Sequence, residues 1–257
     1  MTGQLGTLLA TGQSGLILGL VVFLRVGATM ALLPAFAERS VSVRIRLILT
    51  IAFTVIVAPA VAANLPDITT PTQLATYFFT ETIAGLAVGA VVRFFFLALQ
   101  MAGSIAAQST SLSQIFGGAT ADPQPAIGHV LLVSGLALAV MADLHLRIAQ
   151  MLILSYEVFP LGQLPDGQIF SGWAVTRVAH AFGMAFALAA PFVVASLIYN
   201  IALGVINRAM PQLMVAFVGA PAITAGGLAL LLVSAPFLLQ VWLRTLNVFL
   251  TDIGGAG

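Results

Sequence analysis

The 257 residues are 60% hydrophobic and 7% charged, with a formal net charge of +1 and no cysteine. Soluble domains carry about 25% charged residues, so this chain cannot clothe itself in a hydrated surface, and its solvent is lipid or other apolar helices. The near-neutral charge leaves no basic patch for a nucleic acid, and the missing cysteines exclude a disulfide framework and a thiolate metal site.

The first apolar stretch, Gly15–Leu33, follows a segment from Met1 to Gln13 with no basic side chain. A secretory signal has a charged leading region and a short apolar core. This stretch instead crosses roughly 28 Å of hydrocarbon as a helix and reads as retained. It carries Arg25 at its middle and a GxxxG at Gly15 and Gly19. Further stretches follow at Leu47–Ala63, Phe78–Ala107, Gly128–Leu154, Val178–Ile206 and Leu213–Leu243. The breaks, Pro34 to Arg46, Asn64 to Thr76, Gly117 to Pro125, Pro160 to Gly172 and Asn207 to Gln212, hold Pro, Gly and many of the charges, which is turn chemistry. In lipid the backbone must satisfy its own hydrogen bonds, so long apolar stretches are helices, and the alternation of a membrane β-barrel is not present. The expected fold is an all-α integral membrane protein, a single membrane domain over residues 1–257 with about six helical segments. Arg39, Arg44, Arg46 and Arg208 against Asp67, Glu157 and Asp166 place the first, third and fifth breaks in the cytoplasm and both termini outside.

Charged groups inside the stretches are expensive: an arginine or aspartate at a helix centre costs about 2.5–3.5 kcal/mol on insertion scales. Arg25, Glu81, Arg93, Asp143 and Arg147 are therefore expected to be buried against protein, water or one another, as interhelical glue. Asp143 and Arg147 stand four apart and can pair on one helix face. His145 reads as a packing residue, because Ile148 and Ala149 occupy the places where a second metal ligand would stand. No catalytic or metal motif is visible, and no cofactor is expected. Asp143 and His145 point about 160° apart on a helix, which argues against an intramembrane enzyme.

The third stretch ends in Gln100, Ser104, Gln108 and Ser111, which fall within about 80° of one another on a helix. Such a polar stripe suits a wet lumen or a polar subunit seam. The same stretch opens with Gly85 and Gly89, a GxxxG that permits close backbone approach. The segment from Ser113 to Pro125 follows; its Gly117, Gly118, Pro123 and Pro125 preclude a continuous helix, while Ile115 and Phe116 are apolar. Either it is a connecting loop with a hydrophobic anchor, or its apolar side chains seal a polar channel.

Asn200-Ile201-Ala202-Leu203-Gly204-Val205-Ile206-Asn207-Arg208-Ala209-Met210-Pro211-Gln212, with Phe217-Val218-Gly219-Ala220-Pro221, resembles the signature of the FliR family of flagellar-type export-gate subunits. Ser155-Tyr156, Phe159-Pro160-Leu161-Gly162, Glu81 with Gly85 and Gly89, and Gly103 with Gln108 then Asp122-Pro123 agree in order, so the likeness runs from about Gly15 to Leu250. The resemblance implies one copy of the chain in a helical assembly with FliP and FliQ, beside FlhB and FlhA, in the bacterial inner membrane at the flagellar basal body. It implies kinked hairpins around an export channel for unfolded flagellar proteins, much of the assembly standing out of the bilayer plane, in place of six simple spans. Residues 15–155 would be the FliP-like part and 175–250 the FliQ-like hairpin. A loop at about 111–125, with Ile115, Phe116, Gly117, Gly118, Asp122 and Pro123, would be the plug. Arg25, Glu81, Arg93, Asp143 and Arg147 would find partners at subunit seams, and Asn207, Arg208, Pro211 and Gln212 would form a hairpin tip. A secondary transporter or other multi-helix permease is the competing reading; it requires paired repeats with broken helices, and the two halves show none.

Overall fold

A computed structural model describes residues 2–38, 41–62, 70–111, 126–163, 166–210 and 215–253. All regular structure among them is helical: α1 (Thr2–Leu32), α2 (Val43–Val61), α3 (Pro71–Ser111), α4 (Ala126–Met141), α5 (Leu144–Val158), α6 (Gly167–Ala209) and α7 (Val215–Thr251). Among the described residues five helices are long and apolar enough to cross a membrane, and α4 with α5 makes a sixth if the broken pair is one span. The chain is a multi-pass helical membrane protein, as the apolar stretches predict.

Helix ends depart from the apolar stretches because capping chemistry, not hydropathy, stops a helix. Ser42 is extended and its Oγ accepts the Ile45 amide at 3.4 Å, starting α2 ahead of Leu47. Thr70 and Gln73 form a reciprocal box before Pro71, with the Gln73 amide on Thr70 Oγ1 at 3.4 Å and the Thr70 amide on Gln73 Oε1 at 3.2 Å. This starts α3 within the segment expected to be a break. Asp166 caps α6 likewise, its Oδ1 accepting the Gln168 amide at 2.8 Å.

The fourth stretch is not one helix. Asp143 takes a left-handed conformation (φ 58°) and ends α4 before α5 begins. Aspartate tolerates that region better than most side chains.

The chain divides into two units, each built from separated segments: residues 1–93, 140–176 and 246–257 in the first, and 94–139 and 177–245 in the second. In the first unit α1 packs on α2 and α2 on α5, around Val21, Val22, Val26, Met30, Val57, Val88, Ile148 and Leu152. The core of the second unit is Ala98, Leu99, Ala102, Leu131, Ala185, Leu188, Phe192 and Trp242. Trp242 is wholly buried; its indole N–H donates to the Phe95 carbonyl at 2.8 Å, and its ring meets Phe96 edge-on.

Candidate functional site: a buried ion-pair clamp and a polar cleft

Two places bring predicted residues together. In the first unit Arg25 and Glu81 are both fully buried and joined, Arg25 Nε to Glu81 Oε2, at 2.7 Å. The glycines explain how α1 and α3 come close enough. A Cβ on Gly85 would strike the Arg25 carbonyl, and one on Gly89 would lie 2.8 Å from the Thr29 carbonyl. The Thr29 hydroxyl bridges the seam, 2.9 Å from the Arg25 carbonyl and 3.0 Å from that of Gly85. Gly15 and Gly19, the other GxxxG, meet nothing within 4 Å.

The remaining donors of Arg25 reach the end of α5. Nη2 donates to the Phe159 carbonyl at 2.7 Å, Nη1 to Ser155 Oγ at 3.3 Å, and the guanidinium lies 3.7 Å over the Tyr156 ring. Glu81 answers on the same turn: its Oε1 accepts the Gly162 amide at 3.0 Å. Gly162 has φ 71°, and a Cβ there would run into the Tyr77 ring, so two independent constraints demand glycine. The pair therefore holds the turn 159–162 by one acceptor and one donor of fixed polarity. This corrects the expectation that neighbouring chains supply partners for Arg25 and Glu81: the chain supplies them itself, because three distant segments converge. Ser155, Tyr156, Phe159 and Gly162 gave no sign in the sequence of sharing one site.

The other charged groups are placed differently. Arg93 and Asp143 are exposed on this chain and Arg147 is half-buried. Arg147 does not turn to Asp143; its Nε donates to the Ala142 carbonyl at 3.2 Å, because Asp143 has left the helix whose face would align them. His145 is also exposed, not packed, for the same break re-aims the start of α5.

In the second unit Gln100 and Ser104 line one cleft of about 470 Å³. Leu97, Met101 and Ile105 of α3, Gly128 and His129 of α4, and Phe182, Ala185 and Phe186 of α6 complete it. Gly103 and Gly128 let α3 and α4 touch backbone to backbone; a Cβ on Gly103 would meet Gly128 Cα and N. Gln108 is exposed beyond the cleft, and Ser111 is the last residue of α3. His129 was not singled out by sequence, since its helix carries no polar stripe to announce it. The proposed plug residues Ile115, Phe116, Gly117, Gly118, Asp122 and Pro123 lie outside the described residues.

At the end of α6 Asn207 and Arg208 are exposed; Pro211 and Gln212 lie outside the described residues. Arg208 stands in the last turn, where a cation favours the helix dipole. Further back on α6, the Tyr199 hydroxyl donates to the Gly219 carbonyl at 2.7 Å, tying α6 to α7.

Comparison with known proteins gives the family. The family model for bacterial export proteins, family 1, matches residues 16–248. A flagellar biosynthetic protein FliR from Caulobacter vibrioides is 32% identical over 225 residues, covering 86% of this chain and 90% of the relative. The Escherichia coli protein of the same name is 28% identical over 84% of this chain and 83% of the relative, and that of Bacillus subtilis 25% over 79% and 80%. On a match that spans nearly its whole length, the chain belongs to bacterial export protein family 1, the family of the FliR proteins.

Proposed function

We propose that this chain, a component of the flagellar type III export gate by its family, lines part of the channel through which unfolded flagellar proteins cross the inner membrane. The observation that carries the channel reading is the cleft on α3, where Gln100 and Ser104 stand side by side in a wall of Leu97, Met101, Phe182 and Phe186. Amide and hydroxyl groups are misplaced against acyl chains but suit a passing polypeptide, whose backbone offers donors and acceptors at every residue.

FliP and FliQ are the partners that the family likeness supports, with FlhB and FlhA beside them, in a hetero-oligomer at the basal body. Residues 15–155 would act as the FliP-like part and 175–250 as the FliQ-like hairpin, with about 111–125 as the plug. Exposed Arg93 and Asp143 then face carboxylate and cationic groups of those partners, and Asn207 to Gln212 form the tip.

The chain has no cysteine, which makes a direct test simple. Single cysteines at Gln100, Ser104 and Gln108 should form disulfides with a cysteine in an export substrate arrested in transit, whereas one at Ile198, exposed on α6, should not. Equal labelling at all four positions, or none, would remove the α3 stripe from the channel. Replacing Ile115 and Phe116 by glycine should make the assembled gate leak ions; unchanged conductance would return that segment to a plain connection.

A further inference from the structure

We propose that His129 sets the charge preference of the α3 cleft, favouring acidic over basic stretches of the passing polypeptide when its imidazole is protonated. The inference rests on the reading that this cleft lines the export channel.

Among the described residues that wall the cleft, His129 is the one able to carry a charge. α3 presents apolar side chains with the Gln100 amide and the Ser104 hydroxyl, and α6 presents Phe182, Ala185 and Phe186; none of these titrates. His129 is exposed in the first turn of α4, next to the backbone contact of Gly103 with Gly128. That contact leaves no side chain between the two backbones, so the residue after Gly128 is held close to the polar stripe of α3.

No described residue of the second unit cancels a charge at this place. Its other ionisable residues are Arg177, His180, Tyr199, Arg208 and Arg244, with no aspartate or glutamate among those described. His180 stands ahead of the cleft on α6, its ring 6.0 Å from that of Phe95, and the other four are not on the cleft wall.

With a neutral imidazole the cleft wall is polar but uncharged and favours neither sign. A proton adds one positive charge among Leu97, Met101, Phe182 and Phe186, and apolar walls focus the field of such a charge onto the space between them. Carboxylates of the passing chain are then drawn in, while its lysines and arginines are repelled. Histidine is the side-chain type that ordinarily changes charge between about pH 5 and 8, so the preference follows pH.

Inverted membrane vesicles carrying the complete export apparatus would be given one export substrate in two versions, with a run of glutamates or of arginines in the transported region. The quantity read is the ratio of glutamate to arginine substrate transported, as pH is lowered equally on both sides from about 8 to about 5.5. A ratio cancels any effect of pH on the driving force. It should rise about tenfold in the wild-type chain, stay flat in His129→Gln and stay high throughout in His129→Lys. The disulfide between a cysteine at Gln100 and an arrested substrate is measured in the same vesicles. If it forms while the ratio ignores pH, still follows pH in His129→Gln, or is no higher in His129→Lys than in His129→Gln, the assignment falls and the channel reading stands. If it does not form, the channel reading falls and the assignment with it.

Discussion

Arg25 is the residue in which the sequence and the fold meet most directly. A guanidinium has five N–H donors, and a single carboxylate would leave several of them unmet in a dry interior. Here Glu81, Ser155 and Phe159 take donors and Tyr156 covers the face. Breaking a buried pair from one side strands the other charge. Arg25→Ala or Glu81→Ala alone should therefore lower stability by about 3–5 kcal/mol, read as thermal denaturation in mild detergent. Arg25→Met combined with Glu81→Leu should recover most of that loss. The exchanged pair, Arg25→Glu with Glu81→Arg, should not recover it. A carboxylate at 25 would face the Phe159 carbonyl, and a guanidinium at 81 would face the Gly162 amide. Wild-type stability in the exchanged pair would mean that neutrality alone matters and that polarity at the turn does not. The high cost of both charges in a helix of this kind is legible in the sequence. Their pairing is not, since 56 residues separate them and 134 separate Arg25 from Phe159.

At the level of elements, glycine spacing promises close packing wherever it occurs, but the fold uses it selectively. Gly85 and Gly89 press against α1, and Gly103 presses against Gly128, whereas Gly15 and Gly19 face open space. Gly85→Leu and Gly103→Leu should each cost at least the roughly 1–3 kcal/mol of an overpacked core, because the obstructing atoms are backbone and cannot swing away. Gly19→Leu should leave the denaturation temperature of the isolated chain unchanged. Equal damage at Gly19 and Gly85 would show that the α1–α3 seam is not where the contact lies. The break between α4 and α5 is a second lesson. Gly128–Leu154 has no proline, and its glycines, Gly128 and Gly135, lie two turns or more ahead of the break, so the stretch reads as one helix interrupted by charge. The structure turns it at Asp143 in the left-handed region. Asp143→Gly should be tolerated, while Asp143→Val should cost about 1–2 kcal/mol through the clash of its Cβ with the carbonyl, measured by the same denaturation.

On the scale of the whole molecule, the exposed apolar rows of α2 and α6, such as Ile48, Ile51, Val55 and Phe182, Leu197, Ile198, far exceed what a protein surface in water carries. Lipid and partner subunits must share them. Purified in mild detergent, the chain should retain several small apolar partners in the mass of the intact particle, and recovery as a lone monomer would favour a transporter. Arg208→Ala should weaken that particle or its export if the hairpin tip matters to assembly; normal assembly and export would dismiss it. Hydropathy, charge and the signature from Asn200 to Pro221 were enough to determine a multi-pass helical membrane protein and its family, because both depend on local composition and on residues adjacent in the chain. Only the tertiary structure decided which charges find partners inside the chain, which glycines carry a contact, and that Gln100 and Ser104 share a cleft with His129. Each of those outcomes joins segments far apart in sequence, and a single helix holds no record of the face that another helix will present to it.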